Sequence, residues 1–262
     1  MQEKQPGEPR LFSFPVMIFL FTDFGLEGPY IGQMEAVLYR QAPDVPVINL
    51  FADVPAFDIE GASCLLAAYT EGLPEGSIIL AVVDPGVGGE RPGAVVQADG
   101  RWYIGPDEGL FGIIARQAHD LQWWEIDWRP EQLSSSFHGR DLFAPVAAMI
   151  ACGEPVPGRS VKPDPCRHAD VQENLQRVVY VDSFGNAVTG LRAAGLAPDA
   201  RLEVCGRELV RARTFSSVPP GAPFWYENSN GLAEIAVNRG RANRVLGISV
   251  GTPVRFLQAD QQ

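Results

Sequence analysis

At 262 residues, 46% hydrophobic and 20% charged, the chain has room for one large domain or two modest ones whose cores need no covalent staples. A formal net charge of −11, mixed along the chain rather than gathered in blocks, excludes the basic stripe with which a nucleic-acid surface neutralises phosphates. Cys64, Cys152, Cys166 and Cys205 lie far apart with no CxxC pair, which argues against a zinc site or a disulfide framework and fits a reducing, cytoplasmic setting.

The first element follows an apolar run over residues 11–21 (LFSFPVMIFLF). This run is too short to span a bilayer and enters Thr22-Asp23-Phe24-Gly25 with no small-x-small cleavage site, so it reads as a buried strand over residues 16–23 rather than a leader or a membrane anchor. Ile31, Met34, Val37 and Leu38 recur at helical spacing and predict a helix over 30–41. A strand over 45–51, a helix over 59–72 and a strand over 77–84 (SIILAVVD) follow, then a hairpin of 94–98 and 102–104 about Asp99-Gly100, and helices over 109–118 and 141–152. This alternation predicts an α/β N-terminal domain, residues 1–152, with a mainly parallel sheet flanked by helices. Residues 153–170 are proline-rich and read as a linker. Beyond it, short strands at 177–182, 187–191, 201–204, 224–227, 232–237 and 253–257, separated by turn residues, predict a smaller all-β C-terminal domain, residues 171–262, as a barrel or sandwich.

In open α/β sheets, ligands bind beyond the carboxyl ends of the strands. Three polar clusters fall at such places: Asp23 in TDFG, Asp84 in DPGVGGER with Arg91 seven residues on, and His138 in SFHGRD at the start of a helix. Taken singly, each has a structural reading. Asp23 suits a cap or an Asx turn, Pro85-Gly86 is ordinary turn chemistry, Arg91 suits a surface charge, and Asp141 suits a helix cap. His119 and His168 have no motif around them and read as structural.

Taken together and in order, TDFG (22–25), VDPGVGGER (83–91), GPDEGL (105–110), SFHGRD (136–141), DSFGN (182–186) and NSNGLAEIAVNRG (228–240) resemble the S-adenosylmethionine hydroxide adenosyltransferases. These enzymes are also called S-adenosylmethionine hydrolases and are relatives of the halogenating fluorinase and chlorinase. The resemblance implies an α/β domain followed by a β domain, no cofactor and no metal. It also implies a homotrimer whose substrate lies between the N-terminal domain of one subunit and the C-terminal domain of the next. Carried over by position, it implies that Asp23 binds the ribose hydroxyls and that Asp84, Arg91 and His138 form the catalytic trio around the attacking water. Phe57 falls where relatives place an aromatic ring against the nucleoside. Asp182, Phe184 and Asn186 match an adenosine-contacting motif, Ser229 a contact to the methionine end, and Val237 and Arg239 positions that meet adenine. The chain departs from the family pattern at Glu108 and Gly190, where relatives carry Asn, and at Gly28 and Tyr30, where halogenases hold an acidic residue and a serine.

The implied reaction is hydrolysis of S-adenosylmethionine to adenosine and methionine. A sulfonium departs as a neutral thioether and needs no general acid, so the residues required are those that hold water in line with C5′. Two other activities compete. A nucleoside hydrolase shares the N-terminal aspartate motif but needs an aspartate cluster for Ca²⁺, and near Asp23 the sequence offers only Glu27. A halogenase would avoid a carboxylate such as Asp84 beside its halide. A third alternative, from another class, is a non-catalytic adenosine or S-adenosylmethionine sensor.

Overall fold

The computed structural model describes residues 15–162 and 170–257. Leu11 to Phe14, Cys166 and His168, which entered the sequence reading, lie outside them. The N-terminal domain runs β1 (Ile18–Thr22), α1 (Tyr30–Gln41), β2 (Val47–Phe51), α2 (Ile59–Thr70), β3 (Ile78–Val82), β4 (Gly93–Ala98), β5 (Arg101–Pro106), α3 (Gly112–Gln117), β6 (Leu121–Ile126), α4 (Ala144–Ala151) and β7 (Gly158–Val161). Its strands form one sheet in the order β2-β1-β3-β5-β4-β6-β7. The half around β1 is parallel, with β1 paired to β2 and β3, and β3 to β5; β4, β6 and β7 extend it antiparallel.

The continuous apolar character of β1 has a direct cause. Successive side chains of a strand face opposite sides, and here both sides are covered. Ile18 and Leu20 pack with Met34 and Leu38 of α1 and Val146 of α4, while Phe19 and Phe21 pack with α2 and α3. The β4–β5 hairpin turns through Asp99 and Gly100, both at positive φ, as a two-residue turn matched to strand twist requires.

The C-terminal domain contains β8 (Leu175–Val181), β9 (Ala187–Arg192), β10 (Arg201–Val204), β11 (Arg207–Leu209), β12 (Pro223–Glu227), β13 (Leu232–Val237), α5 (Ala242–Val245) and β14 (Val254–Leu257). Two antiparallel sheets, β12-β13-β9-β8 and β11-β10-β14, are joined at both edges by the bridges Arg177↔Pro253 and Arg211↔Trp225. The result closes into a barrel around Trp225, Leu202 and Ile235. It packs against the N-terminal domain through α2: Leu175, Val179 and Leu232 share a core with Leu65 and Leu66. Arg177 on β8 also forms a bidentate ion pair with Asp58 at 2.6 and 2.7 Å.

The structure differs from the sequence expectation in several places, and β6 and β11 are strands where none was expected. Residues 153–170 are not linker throughout, since Gly158–Val161 adds an edge strand to the first sheet. The helix expected over 109–118 begins at Gly112, after a turn closed by Gly112 N–H on the Gly109 carbonyl at 2.9 Å. Before α4, residues Gly139–Phe143 wind as a π-turn, closed by Ala144 N–H on the Gly139 carbonyl.

Candidate active site

The carboxyl ends of the adjacent parallel strands β1 and β3 place Asp23 and Asp84 on one cavity of about 330 Å³, in the size range of small-molecule sites. Beyond β3 the chain makes two tight turns in succession, Val87 N–H bonding to the Asp84 carbonyl at 3.3 Å and Gly89 N–H to the Gly86 carbonyl at 3.0 Å. Gly88 between them has φ +81°, and a Cβ there would lie 2.3 Å from the Ser135 carbonyl oxygen, so only glycine fits. This doubling-back brings Arg91 onto Asp84.

Arg91 donates Nε to Asp84 Oδ1 at 2.6 Å and Nη2 to Oδ2, a planar two-pronged grip. Both side chains are buried, at 7% and 6% exposure. The same Nη2 lies 3.1 Å from His138 Nδ1, and the guanidinium carbon sits 5.2 Å from the centre of the Phe143 ring. Burial first, and the Arg91 charge second, hold the His138 pKa below its ordinary value.

Asp23 accepts the Phe57 N–H on Oδ2 at 3.2 Å, and burial raises its pKa above the ordinary carboxylate value. Phe57 itself has φ +66°, strained for a residue with a side chain, and its ring is 75% exposed. The next residue, Asp58, caps α2 by accepting Gly61 N–H at 3.0 Å and is held by Arg177. The strained loop is thus pinned on both sides. Phe24, Tyr30 and Phe137 complete the cavity wall as an aromatic cluster with centroids 5.4 to 5.8 Å apart, Phe137 edge-on to the other two. Phe24 and Phe137 stand inside the TDFG and SFHGRD motifs without a role implied by the resemblance, and their adjacency to Asp23 and His138 is the signal that the sequence offers.

Six further expected residues, Asp182, Phe184, Asn186, Ser229, Val237 and Arg239, line a second cavity of about 790 Å³ in the C-terminal domain. Asp182 accepts Asn186 N–H and Nδ2 at 2.8 and 3.1 Å, which ties the DSFGN turn into one unit. Arg239 has φ +59° and Phe184 is 74% exposed. Tyr69, reaching from α2, also lines this cavity; its hydroxyl pKa is pushed up to about 12 by burial. Tyr226, Asn228 and Glu234 line it as well and were not expected from the sequence. Within one chain the structure therefore assembles the expected residues in two groups. The two cavities share no lining residue. Among the described residues, no group of three His, Cys, Asp or Glu side chains is disposed to hold a metal ion, and no helix is long and apolar enough to cross a membrane.

Comparison with known proteins matches the SAM hydroxide adenosyltransferase N-terminal domain to residues 18–158 and the SAM hydroxide adenosyltransferase C-terminal domain to residues 176–255. The chain is 39% identical over 269 residues to an (R)-S-adenosyl-L-methionine hydrolase of Thermus thermophilus, covering 92% of this chain and 99% of that one. It is 36% identical over 248 residues to an (R)-S-adenosyl-L-methionine hydrolase of Salinispora arenicola, covering 89% and 95%. Among solved structures, an uncharacterized conserved protein from Thermotoga maritima superposes with a TM-score of 0.80 at 29% identity, covering 92% of this chain and 100% of that one.

Proposed function

This chain belongs to the SAM hydroxide adenosyltransferase family, and from that premise we propose that it hydrolyses S-adenosyl-L-methionine to adenosine and L-methionine. The observation that carries the reading is the contact of Arg91 with both Asp84 and His138 at the carboxyl end of β3. Water attacks C5′ as the C5′–S bond breaks. The bonding pair goes to sulfur, which leaves as the neutral thioether of methionine, and one proton leaves the water. Arg91 has only donors, so His138 Nδ1 accepts from it and the neutral imidazole carries its proton on Nε2. His138 then serves as a donor to the water oxygen, and Asp84 as the acceptor of the water proton. Asp23 binds the ribose hydroxyls. With Asp84 neutralised by Arg91, the Asp23 carboxylate is, among the described residues, the unpaired charge on this cavity's wall and suits a cationic sulfonium.

Water can donate a hydrogen bond to Asp84 and a halide cannot, which favours hydrolysis over halogenation. No step calls for a metal or an organic cofactor, since the leaving group is neutral. In the same reading the enzyme is a cytoplasmic homotrimer, with each site composed of the Asp84 cavity of one subunit and the Asn186–Ser229 cavity of the next. The absence of a shared lining residue supports this, as does the exposure of Phe57 and Phe184, one aromatic ring on each cavity. Chromatography of protein incubated with S-adenosylmethionine, with and without EDTA, tests the reaction. Equal amounts of adenosine and methionine are expected in both arms; methylthioadenosine or adenine as the main product overturns it, as does complete loss with EDTA.

A further inference from the structure

Glu234 stands in the middle of the otherwise apolar strand β13, LAEIAV, and is only 6% exposed. A buried carboxylate is tolerated when its oxygens are hydrogen-bonded, and both of these are. Tyr226, directly opposite on β12, donates its hydroxyl to Oε1 at 2.5 Å. Asn228 donates Nδ2 to Oε2 at 3.0 Å, and Asn186 lines the same cavity beside it.

Asn228 and Asn186 have further partners. Asn228 Oδ1 accepts the N–H groups of Asn230 and Leu232, each at 3.0 Å, and so closes the turn that carries Ser229. Asn186 Nδ2 donates to Asp182 Oδ2 at 3.1 Å. Glu234 therefore braces from behind the amide whose oxygen closes the Ser229 turn. With it, Asn228 turns its nitrogen to the carboxylate and its oxygen to the turn, and the side chain is held at both ends. Without it, the amide is held at its oxygen alone.

We propose that Glu234 is the positioning residue of the C-terminal cavity. It holds the Asn228 amide, and with it the turn of Ser229, beside Asn186 on the same cavity, so that the substrate meets groups already in place. The identity of that ligand rests on the S-adenosylmethionine reading above. Pre-set groups lower the cost of binding, and the residues assigned to the chemical step line the other cavity. The effect of Glu234 thus falls on affinity rather than on the chemical step.

Steady-state kinetics with S-adenosylmethionine and calorimetry with adenosine, on wild type, Glu234→Ala, Glu234→Gln and Asn228→Ala, decide the matter. Loss of the acceptor in Glu234→Ala is expected to raise KM and the adenosine Kd about tenfold, with kcat within about twofold of wild type. Glutamine is expected to restore most of the affinity, because its oxygen still accepts from the Asn228 amide and its nitrogen can donate to the Tyr226 hydroxyl. Asn228→Ala should reproduce the KM rise by opening the same turn, and it carries the test alone if Glu234→Ala fails to fold. Unchanged KM and Kd in a folded Glu234→Ala or Asn228→Ala overturns the proposal, as does a fall confined to kcat or a glutamine variant no better than alanine. A wild-type protein that binds adenosine but leaves S-adenosylmethionine intact refutes the hydrolase reading instead, and the adenosine calorimetry still decides on Glu234.

Discussion

Arg91 Nη2 approaches His138 Nδ1 to 3.1 Å, and because a guanidinium cannot accept, the imidazole is held as its Nε2–H tautomer. A second proton on His138 would set two donors face to face beside an arginine that already disfavours charge there. The pKa of His138 is shifted down, so the neutral form persists to lower pH than for a free imidazole. kcat/KM is expected to stay level through neutrality and to fall as the pH drops through a value below 6.5, the ordinary histidine pKa. The variant His138→Gln should be about 10²-fold slower and lack that limb. A pH–rate profile of both proteins checks this, and a wild-type limb above 6.5 or an unaltered limb in the variant contradicts it.

Asp84→Asn keeps an oxygen for Arg91 but removes the acceptor for the water proton. It should lower kcat by about 10²-fold and leave KM within a few-fold of wild type. Stopped-time assays at saturating substrate measure this. Wild-type kcat in a folded Asp84→Asn protein contradicts the role given to Asp84.

Phe57 combines a left-handed backbone with an exposed ring on the Asp23 cavity. Glycine at this position removes roughly 1 kcal/mol of backbone strain, though it adds freedom to the unfolded chain. Phe57→Gly is therefore expected to melt within about 2 °C of wild type while KM rises about tenfold from loss of the nucleoside-facing ring. Differential scanning calorimetry and initial rates test the two halves separately. A large drop in Tm with unchanged KM would reverse the assignment.

If sites are shared, two defective chains should repair one another. Co-refolding Asp84→Asn with a chain altered at both Asn186 and Ser229 creates some interfaces where an intact Asp84 cavity faces an intact Asn186–Ser229 cavity, since a cyclic head-to-tail interface joins unlike faces of neighbouring subunits. Activity should reappear in the mixture and in neither parent. Light scattering that gives a monomer, or mixed trimers without activity, ends the shared-site arrangement.

Much of this was legible in the sequence because the decisive residues sit where regular structure stops. Asp23 and Asp84 end buried strands of continuous apolar character, and His138 opens a helical segment, so pattern and motif pointed to the same places. Two of the strands outside that pattern, β6 and β7, have remote partners and a weak pattern of their own. β6 (LQWWEI) has no clean alternation and is stabilised between β4 and β7, and the edge strand β7 (GRSV) hides among prolines. Glu234 escaped for a related reason. Within LAEIAV a lone acid reads as a solvent-facing residue, and its burial depends on Tyr226 from β12 and Asn228 from the turn that follows it. The aromatic wall of Phe24, Tyr30 and Phe137 likewise exists only once β1, α1 and the segment before α4 converge.

The π-turn of Gly139–Phe143 explains a spacing that an ordinary helix could not use. His138 and Phe143, five residues apart, both touch the guanidinium of Arg91, yet at 3.6 residues per turn that separation would point them about 140° apart. The wider winding brings them to the same side, so the extra residue in this turn works as a spacer that sets the angular phase of the imidazole against the ring. Chain length here therefore has the weight elsewhere given to side-chain identity. Rewinding this turn as ordinary helix with no residue removed would leave Asp84, Arg91 and His138 all present and swing the histidine about 140° from Phe143, out of reach of the arginine.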